Sequence, residues 1–306
     1  MAHPKTLFSV IIPAYNYGKT LGRALESVLC QSGSDYEVLV INDGSTDNTE
    51  VVLDELHAVY PGRFRSVSRS NCGLAATRNY GIHHTGGEWL IFLDSDDELD
   101  SEALSNLRST IEANPHARMV VGGHMSVSEN GSSRYRGVNA ASSDKMSTEE
   151  LFAGYLLRKT VTPSNGATAM HRTIFEKVIY PEHFRNSEDI PVFACVFANY
   201  PCAFVEKPIN RVYKHGDSLR HNTAYAHAVG AQLIDAVFDR RRIPESLQKY
   251  RQQFTAQRCL SLFRTLYMAG ERKSALSYYR VAIKSDWSAL FKLSYTRKAL
   301  KCFLGQ

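Results

Sequence analysis

The chain has 306 residues, 43% of them hydrophobic and 22% charged, with a formal net charge of +5. That length suits one large α/β body with a smaller appendage, and the composition excludes a disordered or fibrous chain. So mild a positive charge gives no argument for nucleic acid as a partner. Cys30, Cys72, Cys195, Cys202, Cys259 and Cys302 form no CxxC pair and flank no metal-finger histidine, which predicts scattered reduced thiols in a cytoplasmic protein. The opening MAHPKTLFSVIIPAYN has a short apolar run broken by Pro13 and does not read as a secretion signal. No apolar run reaches the roughly 18 residues of a spanning helix.

In chain order, Phe8 to Ile12 is a β-branched strand pattern ended by Pro13, and Thr20 to Leu29 carries a helical stripe of Leu21, Ala24, Leu25, Val28 and Leu29. Tyr36 to Ile41 is a second strand. Asp47, with Glu50 three residues on, predicts a capping box for a helix running to Pro61-Gly62. Phe64 to Ser68 is a weaker strand, Leu74 to His83 a helix, and Trp89 to Leu93 a fourth strand that runs into Asp94-Ser95-Asp96-Asp97. Strands alternating with helices of this length predict βαβ units and a parallel sheet. Ligands of such sheets bind beyond the carboxyl ends of the strands.

Beyond residue 118 the pattern changes. Arg118 to Gly122 predicts a strand and Met125 to Tyr135 a hairpin around Asn130-Gly131. The polar stretch 138–145 predicts a loop. Thr148 to Arg158 and Ile190 to Tyr200 predict helices, and Ala203 to Val205 and Ile209 to Tyr213 short strands on either side of Pro208. After about residue 222 the signal is helical to the end.

The chemistry-bearing residues lie after strands. Asp94 and Asp96 sit two apart at a strand end, so an extended backbone sends both carboxylates to one face. Paired carboxylates suit a hard cation such as Mg²⁺ or Mn²⁺. The ordinary alternative is a polar loop capping the next helix. Asn42-Asp43-Gly44-Ser45 offers a carboxylate to a base or ribose beside a glycine that permits close approach, or else forms an Asx turn. Asn71-Cys72-Gly73 opens a small-residue helix start, and Arg78 within it can pair with a phosphate or with one of the Asp94–Asp97 carboxylates. Arg211 to His221 adds His215 and Arg220 as candidates for a metal or diphosphate contact.

Together these segments resemble the family 2 glycosyltransferases. The matching pieces are Val10-Ile11-Ile12-Pro13-Ala14-Tyr15-Asn16, Val40-Ile41-Asn42-Asp43-Gly44-Ser45-Thr46-Asp47, Asn71-x-Gly73 through Arg78-Asn79-x-Gly81, and Asp94-Ser95-Asp96-Asp97. The resemblance is strong to about residue 100, extends to about 215 and is absent beyond. It implies a GT-A-type α/β fold, a doubly wound, mostly parallel sheet, to which the helical pattern after residue 222 adds a helical C-terminal extension. The implied domains are a catalytic unit at 1–221, divided into a nucleotide-binding half (1–100) and an acceptor half (101–221), and an extension at 222–306.

The resemblance also implies roles. Pro13, Tyr15 and Asp43 would line the base and ribose, within a donor set that includes Asn16, Asn71, Gly73, Arg78, Asp94 and Ser95. Asp94 would lie near the ribose and diphosphate, and Asp96 would bind Mn²⁺ or Mg²⁺, with His215 as a second metal candidate. Asn42 stands where many relatives carry Asp. Inverting members place a carboxylate at a helix start in the acceptor half. Here that is Glu188-Asp189, with Asp189 as general base and Glu188 as acceptor contact. Acids in a first helical turn are also ordinary partners of the helix dipole.

The resemblance makes the donor a nucleotide diphosphate sugar, by default UDP-linked. The acceptor would be a glycan or lipid-linked hydroxyl in bacterial surface polysaccharide synthesis. The rival readings are a sugar-phosphate nucleotidyltransferase, for which Pro13 to Lys19 is a poor phosphate loop, and a non-catalytic nucleotide-sugar-binding subunit. Residues 271–306 carry a net charge of +6 with Trp287, Leu290, Phe291, Leu293, Leu300, Phe303 and Leu304 interleaved. Such a tail predicts either a peripheral contact with an anionic membrane on the cytoplasmic face or a helix packed on the protein's own core.

Overall fold

The computed structural model describes residues 6–137, 143, 145–214, 229–230 and 232–303. The first strands are β1 (Phe8–Ala14), β2 (Tyr36–Asn42), β3 (Arg65–Ser68) and β4 (Trp89–Phe92), interleaved with α1 (Leu21–Leu29), α2 (Thr49–Val59) and α3 (Leu74–His84). The pairings β3–β2, β2–β1 and β1–β4 are all parallel. Their side chains alternate between two cores. Val10, Ile12, Val38, Val40 and Ile91 face one, while Ile11, Leu39, Ile41, Leu90 and Phe92 face the other. Strands buried on both sides need helices on both faces. Helices α1 and α2, with α4 (Ala103–Ala113), cover the first face. Helices α3, α5 (Thr148–Ala153) and α6 (Asp189–Asn199) cover the second.

The remaining strands are β5 (Glu98–Leu99), β6 (Met119–Val127), β7 (Ser133–Arg136), β8 (Thr168–His171) and β9 (Cys202–Tyr213). They extend the sheet in the order β3-β2-β1-β4-β8-β6-β9-β5, with β7 hydrogen-bonded to β6. Strand β8 runs antiparallel to both β4 and β6 and joins the two halves into one sheet.

Three local expectations are corrected. Helix α2 starts after Asn48, and the Asp47–Glu50 capping box does not form. Glu50 instead accepts from Asn42 Nδ2 and Ser68 Oγ, both at 2.6 Å, and ties β2 to β3. The two short strands expected around Pro208 are one strand, β9. It stays continuous because the β6–β9 register shifts at Gly122 and Gly123, opposite Val205 and Pro208, and such an irregularity tolerates a residue with no N–H to donate. The helix expected to reach Arg158 narrows to α5, followed by a wider turn at Gly154–Arg158. A real capping box does exist at α5, between Ser147 and Glu150.

The C-terminal part is helical, with α7 (Gln232–Val237), α8 (Arg251–Met268), α9 (Arg272–Ser285) and α10 (Leu293–Phe303). Leu233, Ile234, Val237, Phe238, Ile243, Leu247 and Phe254 join the core that contains α6. From Cys259 onward a separate small core forms around Leu260, Phe263, Leu266, Ala275 and Ala282. The beginning of the expected extension therefore packs into the larger body, and only the later helices build a core of their own.

Candidate active site

The carboxyl ends of β1, β2 and β4 carry the predicted donor residues, and hydrogen bonds fasten these loops together. Asn16 adopts a left-handed backbone (φ 62). Its side-chain oxygen accepts from the backbone N–H of Thr46 at 2.7 Å and of Asp47 at 3.3 Å, and its own N–H donates to Ser45 Oγ at 2.9 Å. Asn42 Oδ1 accepts from Ser45 N–H at 3.0 Å, three residues on rather than the two of an Asx turn. Pro13 is buried at the end of β1, while Tyr15 stays exposed over 46% of its surface.

Asp43 is buried, and its carboxylate accepts from the backbone N–H groups of Cys72 (3.1 Å) and Gly73 (2.8 Å). Arg69 Nε lies 3.4 Å away. Asp43 thus clasps the loop that starts α3. The clasp requires two glycines: Gly44 (φ 74) and Gly73 (φ 91) both hold backbone conformations that side chains disfavour. A Cβ on Gly44 would come within 2.7 Å of the backbone nitrogen of Asn71. A Cβ on Gly73 would come within 2.2 Å of the Arg185 guanidinium, so the segment before α6 lies against the loop that starts α3.

After β4, Ser95 Oγ donates to the Pro13 carbonyl at 2.6 Å and fixes the acidic turn to β1. Asp94 and Asp96 share their surroundings with Asp97, which is buried and accepts from the Tyr213 N–H at 3.1 Å at the end of β9. Burial, then the charges of Asp94 and Asp96, push the Asp97 carboxyl up to about 8. The Tyr17 phenol is pushed up to about 12 by burial and by Asp96, Asp94 and Asp97, and it hydrogen-bonds Asp96. Arg23 Nη2 donates to the Asp96 carbonyl at 2.6 Å, and its Nε pairs with Glu98 at 2.9 Å.

Among the described residues no group of three His, Cys, Asp or Glu side chains forms a ready metal cage. The donor set still fits a hard divalent cation. Several carboxylates of like charge converge at a strand end, and such a cation needs only one or two of them when phosphate and water complete its shell. His215, the other metal candidate, and Arg220 lie outside the described residues.

Arg78 connects this acidic turn to the start of α6. It is buried (2% exposed). Its Nη2 donates to Asp94 Oδ1 at 3.0 Å and its Nη1 to Glu188 Oε1 at 2.7 Å. The carboxylate alternative for Arg78 is therefore realised, and with two partners. Tyr180 lies under the guanidinium, 5.4 Å from ring centroid to Cζ, and its hydroxyl donates to Asn165 Oδ1 at 2.8 Å. Asn79, one residue further along α3, brackets the Tyr180 backbone, accepting from its N–H at 3.0 Å and donating to its carbonyl at 2.9 Å.

Ser187 turns with a left-handed backbone (φ 68), Glu188 holds the N-cap position of α6 without a side-chain capping bond, and Asp189 is the first residue of the helix. Burial pushes the Asp189 carboxyl up to about 6, Glu188 adds to the rise, and Arg78 opposes it. A buried carboxylate with a like charge beside it holds its proton more tightly, which makes it a stronger base.

Arg78 thus joins Asp94 directly to Glu188, and Asp189 feels the charge of Arg78 and Asp94. Tyr17, Asn165, Tyr180 and Arg185 enter the site without having been picked out from the sequence, while Asn79 and Asp97 stood in the quoted motifs with no role assigned. Tyr17 adjoins a quoted motif, whereas Asn165 and Tyr180 fall in a stretch, 159–187, that carries no periodic signal.

The glycosyl transferase family 2 model matches residues 9–179. An uncharacterised glycosyltransferase of Rickettsia conorii is 28% identical over 231 residues, 74% of this chain and 36% of that protein. A chondroitin synthase of Pasteurella multocida is 40% identical over 102 residues, 33% of this chain and 10% of that protein. The chain thus spans about a third or less of the length of these curated relatives. Two solved structures share the fold. Residues 1–349 of S. aureus TarS, in complex with UDP-GlcNAc, superpose with a TM-score of 0.59 at 18% identity, covering 98% of this chain and 92% of that one. The mannosyltransferase PcManGT of Pyrobaculum calidifontis, in complex with GDP-Man and Mn²⁺, gives 0.58 at 16% identity, covering 97% and 84%. The fold is that of the GT-A glycosyltransferases, and with the family match spanning more than half of its length the chain belongs to glycosyl transferase family 2.

Proposed function

We propose that the chain is an inverting glycosyltransferase that moves a sugar from a nucleoside diphosphate donor, UDP-linked, to a hydroxyl of a glycan or lipid-linked acceptor in bacterial surface polysaccharide synthesis. The observation that carries this reading is the Arg78 bridge between Asp94 and Glu188, with Asp189, its carboxyl raised to about 6, next in the chain. The nucleotide sugars bound by TarS and PcManGT support the donor class.

In this reading Asp189 accepts the proton of the acceptor hydroxyl as its oxygen attacks the anomeric carbon from the face opposite the diphosphate. A carboxyl raised to about 6 is still mostly ionised at neutral pH, and it is a better proton acceptor than an ordinary aspartate. Glu188, pinned by Arg78, orients the acceptor beside it. The clasp of Asp43 on Cys72 and Gly73 holds the donor loop, and Tyr15 offers its exposed ring to the base. Asp96, with Asp94 beside it, would hold Mn²⁺ or Mg²⁺, which supplies positive charge to the departing diphosphate. Cytoplasmic placement belongs to the same reading, with the basic C-terminal tail as a peripheral membrane contact. No helix of the described residues is long and apolar enough to cross a membrane.

Thermal shift with UDP, GDP, CDP and TDP, each with and without Mn²⁺, tests the donor site. One nucleotide should raise the melting temperature only when the metal is present, and Asp96→Ala should blunt that rise. Folded protein that responds to none of the four would overturn the transferase reading in favour of a scaffolding role.

A further inference from the structure

The last helix is amphipathic on two sides. On α10, Tyr295, Ala299 and Cys302 turn inward onto the small C-terminal core. Leu293, Leu300 and Phe303, spaced seven and three residues apart, turn outward, with exposures of 64%, 56% and 72%. The short turn before α10, Trp287–Phe291, adds two exposed aromatics packed edge to face at 5.5 Å. Leu290 between them is exposed as well. A soluble protein rarely leaves this many large apolar side chains open within seventeen consecutive residues.

The charge around them is of one sign. Lys284, Lys292, Arg297 and Lys301 are exposed, and among the described residues none of the four is paired with a carboxylate. The one acid of the segment, Asp286, is occupied in capping Ser288 N–H at 2.9 Å. On the helical wheel of α10, Arg297 and Lys301 border the outward Leu293–Leu300 stripe. An apolar stripe with a cationic border complements a surface that is apolar below and anionic above, which is the chemistry of an anionic bilayer. A second protein copy offering the same cationic border would be repelled.

We infer that the Trp287–Phe303 face is a membrane-docking surface selective for anionic lipid headgroups, with Trp287, Phe291, Leu300 and Phe303 entering the interface and Lys292, Arg297 and Lys301 contacting the headgroups. The inference gives residues and lipid selectivity to the peripheral placement proposed for the protein, on which it rests. It does not depend on the transferase chemistry.

The chain carries its own reporter. It has two tryptophans, Trp89 buried (3% exposed) and Trp287 open (69%), so a change of tryptophan environment on adding vesicles reports Trp287. Full-length protein is titrated with phosphatidylcholine vesicles, with and without 30% phosphatidylglycerol, and binding is also read by flotation. The expected result is a blue shift and flotation with the anionic vesicles only. The triple variant Lys292→Gln, Arg297→Gln, Lys301→Gln should bind about 100-fold more weakly, and Phe291→Ser with Phe303→Ser should abolish the shift. Equal binding to neutral vesicles, no binding by folded protein, or an apolar face that proves to be buried in a dimer by sedimentation would each overturn the inference. Nucleotide thermal shifts run on the same samples separate the two readings, because vesicle binding without a nucleotide response leaves this one standing alone.

Discussion

The carboxylates after β4 and those at the start of α6 share one guanidinium and differ in what balances their charge. After β4, Asp94 keeps 44% of its side chain in solvent, and buried Asp97 is raised to about 8 first by burial and then by the charges of Asp94 and Asp96. At α6, Glu188 is buried and paired, and the rise at Asp189 comes first from burial. Repulsion among neighbouring carboxylates is relieved by a cation. Desolvation of a single carboxylate is relieved by a proton. On the proposed mechanism the same residue type would serve two tasks, a cation site where several acids adjoin and a base where one is desolvated.

The sharpest way to break this comparison is Asp189→Asn. If Asp189 is the base, turnover should fall between about 10²- and 10⁴-fold, while the metal-dependent nucleotide shift stays intact. Its stability should move the other way. A carboxyl whose folded pKa exceeds the ordinary 3.8 binds its proton more tightly when folded, so it costs stability as pH rises from about 4 through 6. Asp189→Asn should therefore melt a few degrees higher than wild type at pH 7 and lose that advantage near pH 4, as differential scanning calorimetry would show.

Asp96→Ala should cost about 10³-fold in turnover, the loss of a few kcal/mol of charge stabilisation, and should remove the metal dependence of nucleotide binding. A variant that keeps its metal response would place the cation elsewhere. Arg78→Met should destabilise the fold by about 3–5 kcal/mol, because it leaves buried Glu188 without a partner. Glu188→Gln in the same background should recover part of that loss in urea unfolding.

The pH profile gives a smaller, graded effect. Below about pH 6, kcat/KM should fall tenfold per unit as Asp189 takes up a proton, and the Asp189→Asn residual rate should lack that limb. Smallest of all, Tyr17→Phe removes one hydrogen bond to Asp96, worth about 1 kcal/mol. It should change the KM for the donor by about fivefold and leave kcat nearly untouched.

The first hundred residues were legible because their strands are buried on both faces and so read as unbroken apolar runs ending in polar motifs. Phe8–Ala14, Tyr36–Asn42 and Trp89–Phe92 all follow that pattern. Asp94 and Asp96 could be picked out because they end such a run, whereas Glu188 and Asp189 were singled out through the family resemblance. Strand β8 could not. It is four residues long, and its burial depends on β4 and β6, neither of which lies near it in sequence. The same holds for Tyr180 and Asn165, whose meaning comes from Arg78 and Asn79 on a helix about a hundred positions away. The Asp47–Glu50 box was misread because Glu50 had a competing pair of partners, Asn42 and Ser68, that only the folded sheet supplies.

Arg78 and Glu188 are separated by 110 positions in the chain. During synthesis at roughly 5–20 residues per second, the β1–β4 unit leaves the ribosome many seconds before the acid that completes its site. Throughout that interval the segment bearing Glu188 and the proposed base has yet to be made. On the proposed mechanism, a chain ended within that interval would carry the loops after β1, β2 and β4 without the base that transfer needs.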